Sequence, residues 1–309
     1  MKISINLGLR KLLIYAARIL EQAVFPGKCM ACGTFFNPAS RQGWCLNGKD
    51  IQHDDSFNYM EKFTTLERAG DKASSFLTGF TFKKLMAPCL CPDCSNSFIP
   101  VESPICLSCG IMFKSREGED HICGECIRSP KKIRRCRAPG VYDKALMAMI
   151  HSLKYKGKIQ LARPLGMLLF SAFMSCWDKE SIDVIVPVPL HIKRFRKRGF
   201  NQSFLLIRDW VQLAKSLSIN FAHIEIDKHL LLRNRWTQPQ TGLDRRQRAA
   251  NIKNAFSINE SSNISGIIEK RILLVDDVYT TGATANECAK VLLRGGAESV
   301  DVLTLARAV

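Results

Sequence analysis

Apolar and polar positions fall into a regular succession of blocks along the C-terminal half of the chain. Residues 142–153 and 161–174 carry apolar side chains at helical spacing, with Pro164 near the start of the second run. Ile182-Asp183-Val184-Ile185-Val186 reads as a short strand closed by Pro187. Residues 201–217 read as one helix that Asn201 or Ser203 caps. The run 271–275 ends in four consecutive apolar residues, the mark of a strand covered on both faces. Residues 283–294 form a helical pattern ended by Gly295-Gly296, and 300–305 form a final strand. Strands alternating with helices predict an α/β fold with a parallel sheet.

The N-terminal half is less regular. Leu9, Leu12, Leu13, Ala16, Ile19, Leu20, Ala23 and Val24 recur at helical spacing, and Pro26-Gly27 stops the run. This helix within residues 1–28 either packs on its own protein or lies on a membrane surface. Residues 29–130 hold paired cysteines, interrupted by a polar stretch without sustained period at about 33–88, read as an insertion. Within it, 76–85 reads as a short strand or an interaction segment. Five of the seven residues from Lys131 to Arg137 are basic, and the boundary of the α/β domain, 131–309, is placed there.

Composition narrows the partners. With 45 Lys+Arg against 28 Asp+Glu, the formal net charge of +17 favours nucleic acid, phosphorylated small molecules or an acidic membrane surface. No apolar run approaches the ~20 residues of a transmembrane helix, and no secretory signal is visible, so a cytoplasmic protein is expected. In that setting, 13 cysteines point to metal ligands or structural thiols, not disulfides. Eight of them form Cys29-x-x-Cys32, Cys91-x-x-Cys94, Cys106-x-x-Cys109 and Cys123-x-x-Cys126. Two such pairs give the four thiolates of one tetrahedral Zn2+. Cys109 and Cys123 stand close to ribbon spacing, which joins the third and fourth pairs in one site and leaves the first and second for another. Cys45 and Cys89 compete as ligands of that other site. A redox role needs a βαβ context that these pairs lack. Cys136, Cys176 and Cys288 read as plain thiols, the last buried on its helix.

Candidate chemistry concentrates after the apolar strand 272–275. Asp276 and Asp277 follow it, then Thr280-Thr281-Gly282-Ala283-Thr284 leads into a helix. In open α/β sheets ligands bind outside the carboxyl ends of the strands. A helix N-terminus offers amides without helix partners and a dipole that favours an anion. Gly282 permits close approach, and the threonines add hydroxyl donors. The adjacent carboxylates suit the two hydroxyls of a ribose, or a Mg2+ shared with a diphosphate. A second basic run, His191 to Phe200, leaves the carboxyl end of strand 182–186. A third stretch, 233–253, combines six Lys/Arg with Trp236 and the single acid Asp244. Cations interleaved with Phe195, Phe200 and Trp236 also fit single-stranded nucleic acid.

The segment from the apolar strand through the acidic pair to Thr280-Thr281-Gly282-Ala283-Thr284 resembles the phosphoribosyl pyrophosphate loop of type I phosphoribosyltransferases. The motifs His151-Ser-Leu-Lys154-Tyr155-Lys156-Gly157, Val186-Pro187-Val188-Pro189-Leu190, Arg198-Gly199-Phe200-Asn201-Gln202-Ser203 and Gln240 to Asn251 are similar to those of the ComF family. That family couples a cysteine-rich, zinc-ribbon-like N-terminus to a phosphoribosyltransferase-like domain. The resemblance covers about 140–309 and the four cysteine pairs. It implies a type I phosphoribosyltransferase-like parallel sheet flanked by helices, with a small zinc-ribbon-like module. It further implies a phosphoribosyl pyrophosphate ligand with Mg2+ on its diphosphate, Asp276 and Asp277 on the ribose, and Pro187, Val188, Lys193 and Arg194 about the pyrophosphate. Arg245 and Arg248 would contact phosphate from a closing loop. Association with DNA uptake, single-stranded DNA and a helicase-like partner follows from the same resemblance. One departure is that positions 33–90 separate the first two cysteine pairs, which stand much closer in the family.

Overall fold

The structure, a computed structural model, describes residues 27–37, 81–178, 181–238, 244–259 and 267–309. The helix expected at 9–24 and Cys45 lie outside the described residues. So do most of the insertion and the Gln240 end of the last motif.

The centre is a six-stranded sheet in which every pairing is parallel. Two nine-residue strands, β9 (Arg271–Tyr279) and β10 (Ser299–Arg307), form its spine. Beside β9 lies β5 (Val184–Pro187) and then β6 (Glu225–Ile226), while β10 carries β3 (Cys136–Arg137) and β4 (Gly140–Val141) on its other edge. The basic run 131–137 is an anchor as well as a surface feature. Arg134 and Arg135 converge on Asp301 of β10 at 2.7 and 3.3 Å, and Trp177 Nε1 donates to the same buried carboxylate at 2.6 Å.

Because successive strand residues face opposite ways, β9 feeds two cores. Leu273 and Val275 pack under α3 (Lys144–Tyr155) and α4 (Ala162–Cys176), with Leu146, Met149, Phe170 and Phe173 fully buried. Each such side chain withdrawn from water contributes about 1.5–3 kcal/mol. Ile272 and Leu274 pack on the opposite face under α9 (Ala283–Arg294), against Cys288, Ala289 and Leu292. Helices α3, α4 and α9 keep the positions their periodicity predicts to within two residues.

Three expectations need correction. The helix expected over 201–217 is two: α6 (Gln202–Ile207), capped by Asn201 whose side chain accepts from Ser203 N, and α7 (Trp210–Ser216). The break lets α6 cross α4 at Gly166, where a Cβ would run into the Leu206 carbonyl. Residues 81–86 are helical, not strand, and bury Phe82 and Met86 beside the first cysteine pairs. The stretch Ile159–Cys176 is long and apolar enough to cross a membrane, contrary to the reading of the sequence; 67% of it is buried inside the protein as the core helix α4 and its lead-in turn.

A two-stranded antiparallel ribbon of β7 (Leu231–Arg233) and β8 (Phe256–Ile258) stands over α9, with α8 (Arg245–Ile252) between its strands in sequence. A short helix, α5 (Ile192–Arg198), follows β5 and carries the second basic run; none of its residues is buried.

Candidate functional site

The carboxyl edge of the sheet is stepped. Strand β5 ends with Pro187 opposite Val275. Strand β9 does not end there, as its apolar run suggests, but continues to Tyr279, because β10 stays alongside through the pairs Thr304–Asp276, Ala306–Val278 and Arg307–Tyr279. Asp276 and Asp277 therefore sit inside a strand, on the flank that β5 leaves unpaired, and point to opposite faces.

Asp277 turns toward α3. Its Oδ1 lies 2.7 Å from Lys154 Nζ, and its Oδ2 is buried without a hydrogen-bond partner among the described residues. Burial pushes the Lys154 ammonium toward neutrality, and the Asp277 carboxylate more than reverses this, leaving its pKa above the ordinary lysine value. Asp276 accepts from Ser203 Oγ at 3.0 Å and from Asp277 N at 2.9 Å. Burial, then the neighbouring Asp277 charge, push its carboxyl up to about 7. A raised acid holds its proton better in the folded state than in the unfolded one, whose pKa is about 4. Its contribution to stability is therefore present at acid pH and is lost as pH rises between those values. We expect wild type to lose stability relative to Asp276→Asn between about pH 4 and pH 7, in urea unfolding of both proteins. Parallel pH profiles would contradict the assignment.

Strand β9 hands over to α9 through Thr280, Thr281 and Gly282. Gly282 is the N-cap in the left-handed region, at φ 76°, and a Cβ there would collide with the Tyr279 hydroxyl. Glycine is thus required by conformation and by space. Ala283 and Thr284 open the helix, whose first amides have no helix carbonyl to bond. Thr280, Thr281, Ala283 and Thr284 are all partly exposed, as a binding loop demands. Arg307, at the end of β10, donates to the carbonyls of Tyr279 at 3.3 Å and Thr280 at 3.0 Å and so holds the loop's root.

Among the described residues, two cations near this edge have no acidic partner. Arg233, 9% exposed, gives Nη2 to Thr237 Oγ1 at 2.5 Å and leaves Nε unbonded. Arg194 gives Nη2 to Thr237 O at 2.9 Å. Burial, then Arg194, push the Arg233 guanidinium down to about 10, and burial, then Arg198, lower Arg194. The charge of Asp276 reaches Arg233 and partly offsets this. Two desolvated guanidiniums on one threonine are costly until an anion joins them.

Of the other expected residues, Pro187 ends β5 and Val188 is buried in the core, its carbonyl accepting from Asn201 Nδ2 at 3.1 Å. Lys193 is exposed on α5, Nζ 6.0 Å from the Trp236 ring centre. Arg248 lies on α8; the Arg245 side chain lies outside the described residues. Lys154, Ser203, Arg233 and Thr237 were not singled out as site residues from sequence. Lys154 and Ser203 stood in motifs already noted, and Arg233 and Thr237 in the third basic stretch, but only the fold brings the four to this edge.

The cysteine pairs assemble as expected. Cys29, Cys32, Cys91 and Cys94 form one tetrad and Cys106, Cys109, Cys123 and Cys126 the other, with all four sulfurs of each within 4.8 Å of one another. A tetrahedral Zn2+ with Zn–S of about 2.3 Å requires S···S of about 3.8 Å. Cys32 and Cys91 sulfurs stand 3.7 Å apart, and those of Cys109 and Cys123 3.8 Å apart. The amides of Cys109 and Cys123 point at Cys106 Sγ from 3.4 and 3.3 Å, which suits a metal-bound thiolate. Both tetrads therefore fit zinc. Cys89 is buried outside the first tetrad, and its carbonyl accepts from Met30 N at 2.9 Å. The tetrads serve opposite faces of the sheet. Cys29 and Cys91 belong to the core under α3 and α4, while Cys106, Cys109 and Cys126 belong to the core with α9.

No family model matches the chain. Known proteins do. The chain is 33% identical over 222 residues to the DNA utilization protein YhgH of Escherichia coli (strain K12), covering 71% of this chain and 90% of that protein. It is 32% identical over 222 residues to competence protein F of Haemophilus influenzae, with coverage of 71% and 90%. It is 29% identical over 237 residues to competence protein ComFC of Streptococcus pneumoniae, with coverage of 74% and 95%. With relatives of that name matched along nearly their whole length, and with a parallel α/β sheet joined to two cysteine tetrads, this chain is a member of the ComF family.

Proposed function

We propose that the stepped edge of the sheet binds a phosphoribosyl diphosphate, and that the protein handles DNA or its sugar-phosphate constituents, as the names of its relatives suggest. The observation that carries this reading is the meeting of unlike charges at one edge of the sheet. Asp276 and Asp277 lie within β9 just past the point where β5 stops, and two guanidiniums without acidic partners among the described residues, Arg194 and Arg233, share Thr237 near them, the Asp276 charge reaching Arg233. A ligand that carries a diol beside a diphosphate satisfies both. The amides of the 280–284 loop suit its 5-phosphate. Mg2+ would arrive with the diphosphate: Asp276 and Asp277 are too few donors, and too engaged, to form a cage of their own.

Titration calorimetry on the zinc-loaded chain, with phosphoribosyl pyrophosphate and Mg2+, tests this. Wild type should give saturable heats. Asp276→Asn and Arg233→Met should each bind about 10- to 100-fold more weakly, the loss expected for a hydrogen bond to a charged group. No saturable heat from wild type at millimolar ligand removes the reading. Release of pyrophosphate across a panel of bases would then separate transfer from binding alone.

A second reading, single-stranded nucleic acid, is favoured by exposed rings among cations. Tyr155, Phe195 and Trp236 are 66%, 44% and 45% exposed, with Arg198 5.5 Å over Tyr155 and Arg194 5.2 Å over Trp236. Such rings stack on bases while the cations follow the backbone. Single-strand affinity should then fall steeply with salt; a flat dependence removes this reading.

A further inference from the structure

Arg307 is the last residue of β10, 6% exposed, and it touches two sites at once. Its Nε donates to the carbonyl of Cys109 at 2.8 Å, and its Nη2 lies 3.6 Å from Cys109 Sγ, in the second cysteine tetrad. Its Nη1 donates to the carbonyls of Tyr279, Thr280 and Ala308. The guanidinium carbon lies 5.0 Å over the Tyr279 ring, the ring whose hydroxyl sits beneath Gly282. No carboxylate pairs with Arg307 among the described residues.

We infer that Arg307 is a positioning residue that couples metal occupancy of the Cys106/Cys109/Cys123/Cys126 tetrad to the shape of the 280–284 loop. A metal on the four sulfurs fixes the Cys106–Cys109 knuckle, and with it the Cys109 carbonyl and sulfur against which the buried guanidinium rests. Loss of the metal lets that knuckle move, and Arg307 loses the contacts that hold one side of it. Its bonds to Tyr279 and Thr280 are then no longer held in register, and the loop's root is freed. The coupling runs both ways: whatever rigidifies the loop slows metal loss from this tetrad. The first tetrad has no such link among the described contacts, so the effect is confined to one of the two sites. That the loop receives a phosphate rests on the function proposed above; the coupling itself does not.

The test uses the full zinc-loaded chain and two readouts besides activity. Hydrogen exchange of 279–285 is followed by mass spectrometry, and zinc release to a chromophoric chelator by absorbance. Cys32→Ser, which removes a ligand of the first tetrad, assigns the two release phases. In Arg307→Met, exchange of 279–285 and zinc release from the second tetrad should both quicken severalfold. Exchange in α4 and release from the first tetrad should not change. Unaltered exchange of 279–285 overturns the inference. If Arg307→Met does not fold, wild type decides. Stripping the second tetrad should open 279–285 ahead of α4, and simultaneous opening of both overturns the coupling. Ligand heats are measured separately, so a chain that shows the coupling but binds no phosphoribosyl pyrophosphate loses only the proposed ligand.

Discussion

Lys154→Met should destabilise the protein by about 3–5 kcal/mol, the usual consequence of removing one partner of a buried ion pair. Lys154 Nζ is 2.7 Å from Asp277 Oδ1, with the two side chains only 16% and 6% exposed. Among the described residues Asp277 Oδ2 has no other partner, so the variant strands a buried carboxylate without a counter-charge. The decisive comparison is Lys154→Met with Asp277→Asn. Once both charges are gone the desolvation cost goes with them, and the double variant should recover much of the loss. Urea unfolding of the four proteins gives the coupling directly. Additive losses would show that Lys154 does not neutralise Asp277. If the edge binds the phosphoribosyl ligand proposed above, binding should remain impaired in the double variant, because one of its acids is then missing even where the fold is restored.

How much of this was legible in the sequence depends on the range of the interaction. Helix α9 follows its periodicity from Ala283 to Arg294 because an amphipathic pattern and flanking glycines are local signals. The inner part of β9 is equally plain, since 272–275 are apolar for a reason visible in the residues themselves: both faces are covered. The strand's outer part was missed. Asp276 and Asp277 look like loop, and it takes β10 alongside, with Lys154 and Ser203 as side-chain partners, all distant in sequence, to hold them in a strand. The break between α6 and α7 has the same origin: the close approach of Gly166 to Leu206 redirects the chain where Arg208 and Asp209 alone give no stop signal. The short apolar run at 81–86 illustrates a different limit, since periodicity cannot tell a short buried helix from a strand. Arg233 and Thr237 stood in a recognised basic stretch, but their lack of acidic partners is a property of the folded neighbourhood.

The cysteines divide in the same way, and their division yields the other large effect. Spacing paired the knuckles correctly, because each pair supplies two ligands in a fixed geometry and the third and fourth are close in sequence. Spacing could not show that each tetrad is built into a different face of the sheet. Cys109→Ser should lower bound zinc from two per chain to one and should cost most of the stability of the sheet. Structural zinc sites return about 10–16 kcal/mol of binding free energy to the fold, and this one sits in the core with Val302, Ile272 and Tyr279. The Cys109 carbonyl also accepts from Arg307, and Gly110 leaves no room for a Cβ beside the Cys136 carbonyl, so disorder at this knuckle reaches β3 and β10 at once. Cys32→Ser should remove one zinc as well, at a smaller cost, because Cys32 itself is exposed beside the short ribbon of β1 (Gly27–Lys28) and β2 (Phe35–Phe36), while the buried Cys29 keeps its knuckle packed in the core. Metal content by atomic emission, read beside thermal unfolding, checks both halves. Unchanged zinc in either variant would remove that tetrad as a metal site. A greater loss of stability from Cys32→Ser would mean that the core under α3 and α4, not the one beneath α9, depends more heavily on its metal.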